Sequence, residues 1–334
     1  MSPQALPQVA IPRQLNSEAP PWGQVLHSLR GQTMGTSWSL VLYGPASLRL
    51  APVEAAVQAR LDALVGELSH WEADSLLCRF NALAPGQGLD LPPDFATVLD
   101  AAMCVAAASG GAFDPCMGAL VQRWGFGPPG QPPATARAPR QAWRELGWDA
   151  ARGRLTQPGG LMLDFSAIAK GHAVDRISAL LRELGLPHHL VEIGGELRGQ
   201  GLKPEGQPWW VDVEPPATDC ALSGLRIALH QLAVASSGDY RRYRLDEQGR
   251  RLSHTLDPRT GRPVAHGLAL VSVLHESAMW ADAWSTALMV LGPDEGLALA
   301  ESQGLAARMV VRDPQGWRQL LSSALRDMIE EEAA

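Results

Sequence analysis

Cysteine is scarce in this 334-residue chain: there are four, Cys78, Cys104, Cys116 and Cys220. No two of them form a C-x-x-C pair, which removes the zinc-ribbon and thiol-redox readings. A chain of this length does not imply a disulfide framework either. Long apolar runs are also missing, and none approaches the roughly 18 residues of a membrane-spanning helix. There is no basic surplus, since 28 Lys and Arg face 35 Asp and Glu for a net charge of −7. An acidic chain is a poor non-specific binder of nucleic acid or anionic membrane, so neither is expected as a partner. No repeat of fixed period is present. The opening "MSPQALPQVAIPRQLNSEAPPW" has neither the apolar core of a signal peptide nor a cysteine to take a lipid. The expectation is a disordered arm over residues 1–25 and a cytoplasmic protein; the alternative is a periplasmic one whose start is misassigned.

What is present is an ordinary globular balance, 46% hydrophobic and 19% charged, which allows a large core. Aromatic residues are few, yet 11 of them are Trp. Tryptophan can line a pocket for a planar ligand, but it also serves as plain core. Along the chain, Thr33 to Gly44 alternates like a strand, and "DFATVLDAAMCVAAASGGAFDP" reads as an alanine-rich helix stopped by Gly110-Gly111. Residues 127–141 are proline-rich and aperiodic, a surface crossing or inter-lobe link, and a Trp-bearing helix "RQAWRELGW" follows. "LMLDFSAIAKG" is a strand and turn. "HAVDRISALLRELG" is an amphipathic helix with Ala173, Ile177, Leu180, Leu181 and Leu184 on one side, and "HHLVEIGGELRGQG" is the next strand. Asp246 to Gly249 forms a hairpin turn. Helices and strands are mixed and hairpins occur among the strands, so the fold class is α+β with largely antiparallel sheet.

Several constellations could carry chemistry. In "MWADAWSTALM" the residues Asp282 and Thr286 stand four apart on an otherwise apolar helix, hence on one face. A buried carboxylate and hydroxyl need partners; a hard cation is one. The other reading is a back-bonded Thr286 with Asp282 held by backbone N–H groups. Lys170-Gly171 sits at a strand-to-helix junction, where free N–H groups and the helix dipole attract phosphate. Gly194-Gly195 before Glu196 marks a bulge or a close approach by another group. "SHTLDPRTG" gathers His254, Asp257, Arg259 and Thr260 in one turn, where His254 could act as a base or Asp257 could merely cap. Ser236, Ser237 and Gly238, and Asp114 after a helix exit, admit both structural and binding readings. Together these residues point to a Mg²⁺-dependent enzyme acting on a phosphorylated, aromatic compound.

In the same order, "TMGTSWSL", "ADSLLCRFN", "GAFDPCMGALVQRWGFG", "LDFSAIAKGHAVDRISALLRELGL", "LVEIGGELRGQG", "ASSGDYRRYR", "SHTLDPRTGRPV" and "ADAWSTALMVLG" lie between Thr33 and Asp313. This series resembles the ApbE family of FAD:protein FMN transferases. The resemblance implies a T-fold-like α+β domain over residues 26–325, with FAD in a cleft between lobes, and an acidic tail over 326–334. It implies FAD as substrate and transfer of FMN to a threonine hydroxyl of a flavoprotein carrying a D-x-x-[ST]-G-A-[ST]-like motif, with release of AMP. It implies Mg²⁺ held by Asp282, Thr286 and the carbonyl of Ala167. It places Met34 and Trp71 against the rings of FAD, with Asn81, Asp114, Lys170 and Asp175 in contact with it. Gly194, Gly195 and Glu196 would pass its adenosine part. His254 would sit by the attacking hydroxyl, with Asp257 and Thr260 supporting the turn; a second role for Asp282 near the nucleophile is open. Trp71 and His172 depart from a common tyrosine, and Cys116 from a usual threonine. An FAD pyrophosphatase and a non-catalytic flavin binder remain alternatives, as do monomer and homodimer.

Overall fold

The computed structural model describes residues 7–12, 19–240, 243–249 and 251–329, and the chain divides into two compact units. Elements are numbered along the chain. The first unit comprises residues 1–61, 170–240 and 267–334. Its centre is an eight-stranded sheet of β2 (Gln24–Thr33), β3 (Thr36–Pro45), β7 (His189–Ile193), β8 (Glu196–Gln200), β11 (Leu232–Gly238), β16 (Leu268–His275), β17 (Ala306–Asp313) and β18 (Gly316–Leu321). The order is β18-β17-β16-β11-β8-β7-β3-β2, and every pairing is antiparallel. A smaller sheet joins β1 (Gln8–Ala10), β10 (Leu225–Leu229) and β9 (Trp209–Val213), with β1 parallel to β10. Helices α1 (Leu50–Leu68), which begins here, α5 (Ala169–Glu183), α6 (Ala278–Leu291), α7 (Pro293–Ser302) and α8 (Ser323–Arg326) complete the unit.

β16 is buried almost along its whole length, which fits its near-continuous apolar sequence: a strand covered on both faces need not alternate. α6 lies against β11 and β16. On the other side Val234 and Leu274 join Trp209, Leu225, Ile227 and Leu229 of the smaller sheet in one apolar cluster. α6 is therefore a core helix, apolar nearly all round, from Ala278 to Val290. Gly292 ends it and Pro293 opens α7.

The second unit comprises residues 62–169 and 241–266. It holds α2 (Leu76–Asn81), α3 (Pro93–Ala108), α4 (Gly118–Arg123) and a sheet in which β6 (Arg154–Thr156) lies between β4 (Gly88–Asp90) and β5 (Gly147–Asp149). Two short hairpins follow, β12 (Tyr243–Leu245) with β13 (Arg251–Ser253), and β14 (Leu256–Asp257) with β15 (Arg262–Pro263). Phe95 and Phe165 meet edge-to-face, 5.2 Å apart, in its core.

The mixed, mostly antiparallel architecture agrees with the expected α+β class. Several local expectations are corrected. Residues 8–10, assigned to a disordered arm, form β1; residues 1–6 and 13–18 lie outside the described residues. Met328 and Ile329, assigned to the acidic tail, pack on the apolar cluster, and residues 330–334 lie outside the described residues. The proline-rich stretch 127–141 falls wholly inside the second unit. The Trp-bearing helix shrinks to a single 3₁₀ turn, Ala142–Glu145, ahead of β5. Leu184, just past the end of α5, is exposed, and Val174 on the helix is buried.

Candidate functional site

In the first unit the N-terminal turns of α5 and α6 cap each other. The early N–H groups of a helix have no partner within it. Ala278 and Met279 of α6 donate theirs to the Asp175 carboxylate at 3.0 Å each, and the Ser277 hydroxyl donates to the same carboxylate at 2.6 Å. In return Gly171, in the first turn of α5, donates its N–H to Asp282 Oδ2 at 3.0 Å. This exchange needs the helices almost in contact. A Cβ on Gly171 would lie 2.8 Å from Asp282 Cβ and nearer still to the carbonyl of Ala278, so only glycine fits.

The capping brings three ionisable groups together. Lys170 Nζ lies 2.6 Å from Glu196 Oε1, at the start of β8. Glu196 is 3% exposed, and its Oε2 is buried without a hydrogen-bond partner among the described residues. Burial pushes its carboxyl up to about 7; the Lys170 ammonium opposes the rise and the Asp282 carboxylate adds to it. Burial likewise raises Asp282, against Lys170 and the Gly171 N–H. These carboxylates have one ammonium between them, so the cluster is short of positive charge.

Thr286 stacks one turn beyond Asp282 on α6, and its hydroxyl is 3.1 Å from that of Ser237. Ser237 also meets Ser285 Oγ at 2.8 Å, and Ser285 donates to the carbonyl of Asp282 at 2.9 Å. Half of one sequence reading of this helix is realised: a backbone N–H does hold Asp282, while the Thr286 hydroxyl bonds the neighbouring strand β11. Gly194 and Gly195 are not a bulge. They are the two-residue turn between β7 and β8, with φ of 62° and 105°, which only glycine takes up freely in succession. Glu192 Oε1 accepts the Gly195 N–H at 3.0 Å. Met34 sits at φ 49° in the corresponding turn between β2 and β3.

Asp175 has a structural duty that its sequence context does not announce. Besides the groups above it accepts from Arg198 at 2.8 Å, so both oxygens have structural partners. Asp175→Ala is expected to cost about 1–3 kcal/mol of stability through two uncapped N–H groups and a stranded Arg198. A urea midpoint reads this directly; an unchanged midpoint would remove the capping role.

The second unit holds the other candidates. Asn81 ties two segments together: its amide nitrogen donates to the Leu163 carbonyl at 3.0 Å and its Oδ1 accepts the Leu163 N–H at 2.7 Å. Asp114 is buried and pushed up to about 6 by that burial, against N–H bonds from Cys116 and Trp143. Asp257 braces its turn: its carboxylate accepts from the Arg259 N–H and guanidinium, and its carbonyl accepts from the N–H groups of Thr260 and Gly261. Thr260 supports that turn through its hydroxyl, as expected. Half-buried His254 stands edge-on to Phe126, 6.3 Å away. Trp71 is 53% exposed beside His70. Ala167 lies in the turn just ahead of α5.

Sequence reasoning missed the buried Asp164, which takes the N–H and hydroxyl of Ser166 and lies 3.5 Å from His70 Nδ1. Its signal was an acidic residue two before a serine, just ahead of a helix start. It also missed Ser285, legible only as the residue three beyond Asp282. Among the described residues no three His, Cys, Asp or Glu side chains converge as a metal site, and no helix is long and apolar enough to cross a membrane.

Comparison with known proteins gives consistent matches. The ApbE family model matches residues 34–309. The FAD:protein FMN transferase of Haemophilus influenzae is 36% identical over 318 residues, covering 91% of this chain and 91% of the relative. That of Klebsiella pneumoniae is 32% identical over 311 residues, covering 90% and 89%. Among solved structures, the apo form of Pseudomonas stutzeri flavinyl transferase ApbE superposes with a TM-score of 0.81 at 36% identity, covering 93% of this chain and 98% of that one. The flavin transferase ApbE of Vibrio cholerae gives a TM-score of 0.80 at 31% identity, covering 92% and 100%.

Proposed function

The chain belongs to the ApbE family, and from that premise we propose that it moves FMN from FAD to a hydroxyl of a target flavoprotein and releases AMP. The supporting observation is the cluster of half-buried Lys170 with buried Glu196 and Asp282, built where two helix N-termini meet. In the reaction the acceptor oxygen bonds to the FMN-side phosphorus. The bond from that phosphorus to the bridging oxygen breaks, and the bridging oxygen leaves with AMP. Phosphoryl transfer of this kind is catalysed chiefly by positioning and charge neutralisation.

Lys170 supplies a fixed positive charge, and Glu196 holds it in place. The N-terminal end of α5 adds the positive pole of its helix dipole, which favours an anion. A divalent cation fits the donor set: Asp282 and Thr286 offer hard oxygens one turn apart on α6, and burial disfavours the Asp282 charge unless a cation lies beside it. Mg²⁺ held there would neutralise charge on the pyrophosphate and the leaving group. His254 is the group we assign to take the hydroxyl proton. The acceptor is proposed to carry the D-x-x-[ST]-G-A-[ST]-like motif.

One incubation tests this. Purified protein, FAD, Mg²⁺ and a protein bearing such a segment should yield AMP and an acceptor heavier by one FMN. AMP and free FMN with an unmodified acceptor would replace transfer with hydrolysis. His254→Ala is expected to slow transfer by about 10²-fold while FAD affinity stays put, as for loss of a positioned base. Weaker FAD binding with normal turnover of what binds would contradict that role.

A further inference from the structure

β2 is the outermost strand of the eight-stranded sheet and, among the described residues, pairs only with β3. The two-residue Met34–Gly35 turn closes on the Thr33–Thr36 pair. In such a hairpin alternate residues turn their N–H and C=O to the partner strand. Thr33, Gly31, Leu29 and His27 therefore face β3, while Arg30, Ser28 and Leu26 face outwards. Bonds at both ends agree with this alternation. Gln24 donates its N–H to the carbonyl of Pro21, and the carbonyl of Gln32 accepts from the Gln58 side chain. Between them, the outward main-chain groups of Leu26, Ser28 and Arg30 have no partner among the described residues.

A ten-residue edge strand with no proline and no lysine lacks the usual blocks against strand addition. Leu26 is 56% exposed on it, and fully exposed Trp22 precedes it. The strand also runs towards the Lys170 cluster. A Cβ on Gly194 would lie 2.9 Å from Thr36 and 3.3 Å from the Lys170 side chain, so the β2–β3 turn is at the cluster's end of the sheet. At that end a hollow of about 610 Å³ is lined by Arg30, Gly31, Gln32, Ser37, Trp38 and Ser39.

We propose that β2 is the docking strand for the acceptor protein. An extended segment of the target adds to the free edge as a ninth strand and drops one side chain into the hollow beside Arg30. The adjoining hydroxyl is thereby held towards Lys170. This rests on the transferase reading, which requires a second substrate that is itself a polypeptide. Main-chain pairing suits it: the bonds to Leu26, Ser28 and Arg30 are indifferent to side chains, so one enzyme can serve different targets, and the hollow adds selectivity. Arg30 favours an acidic residue in the segment, and Leu26 with Trp22 an apolar one.

Amide exchange on the whole protein, with and without a flavoprotein domain carrying a D-x-x-S-G-A-T segment, tests the proposal. The amides of Leu26, Ser28 and Arg30 should exchange freely alone and become protected by the acceptor. Ser28→Pro removes one outward N–H and leaves the β3 ladder whole, since an edge residue tolerates proline. It should raise the KM for the acceptor about tenfold, with FAD affinity unchanged. Arg30→Glu, an exposed side-chain change that spares the backbone, should also raise that KM. Wild-type acceptor kinetics in both variants without protection of the three amides would overturn the proposal. Protection that follows the enzyme's own concentration would replace it with self-pairing. Failure of the unaltered protein to modify the acceptor at all would remove the transferase reading and this proposal with it.

Discussion

Asp282→Ala is expected to lower Mg²⁺-dependent AMP release from FAD by about three orders of magnitude, the loss of several kcal/mol of charge stabilisation. The residue is 4% exposed and burial disfavours its charge, so a carboxylate retained there needs a cationic partner. Lys170 supplies one charge but shares it with Glu196. Asp282 also has a structural duty towards Gly171, so the alanine variant alone is ambiguous. Asp282→Asn separates the duties: an amide oxygen still accepts the Gly171 N–H, but its charge is gone. The asparagine variant should keep the wild-type unfolding midpoint to within about 1 kcal/mol and still lose its response to Mg²⁺. Mg²⁺ titration of AMP release beside a urea melt reads both effects. An unaltered Mg²⁺ dependence in Asp282→Asn would refute the metal assignment.

Much of this was legible in the chain itself. The i, i+4 spacing fixed Asp282 and Thr286 on one helical face, and the apolar run around them identified α6 as a core helix. The Lys170-Gly171 pair marked a helix start. The paired glycines were recognised but misread, because nothing local distinguishes a bulge from a two-residue turn; the choice depends on Ile193 finding Glu196 across the hairpin. The capping duty of Asp175 was hidden for a related reason. Its partners, Ser277 to Met279, are a hundred residues away in sequence, so no window could show that its oxygens were taken. The strand β1 escaped because proline-rich flanks read as irregular, while its pairing with β10 is a tertiary choice. Local chemistry is written in short spacings; whether a polar group is free to act is decided by distant ones.

Gly171 carries the second large effect, and it is the position that binds fold to chemistry. Gly171→Ala adds one carbon at a place bounded by main chain on one side and by Asp282 on the other. A flexible side-chain tip could swing away, but the Ala278 carbonyl belongs to the first turn of a buried helix and cannot. The helices must separate, and overpacking of this kind costs about 1–3 kcal/mol. Separation also breaks the Gly171–Asp282 bond and weakens the Asp175 cap, so the total should exceed the cost of Asp175→Ala. Lys170 precedes Gly171 on the same turn and would be displaced with it from Glu196. Gly171→Ala should therefore lower the unfolding midpoint and reduce AMP release by about 10²-fold even where the protein is fully folded, since misplacing catalytic groups by an ångström has effects of that size. Activity measured well below the midpoint separates the two losses. A folded Gly171→Ala variant with wild-type turnover would show that the approach of α5 to α6 is dispensable, and the cluster would lose its basis as a preorganised site.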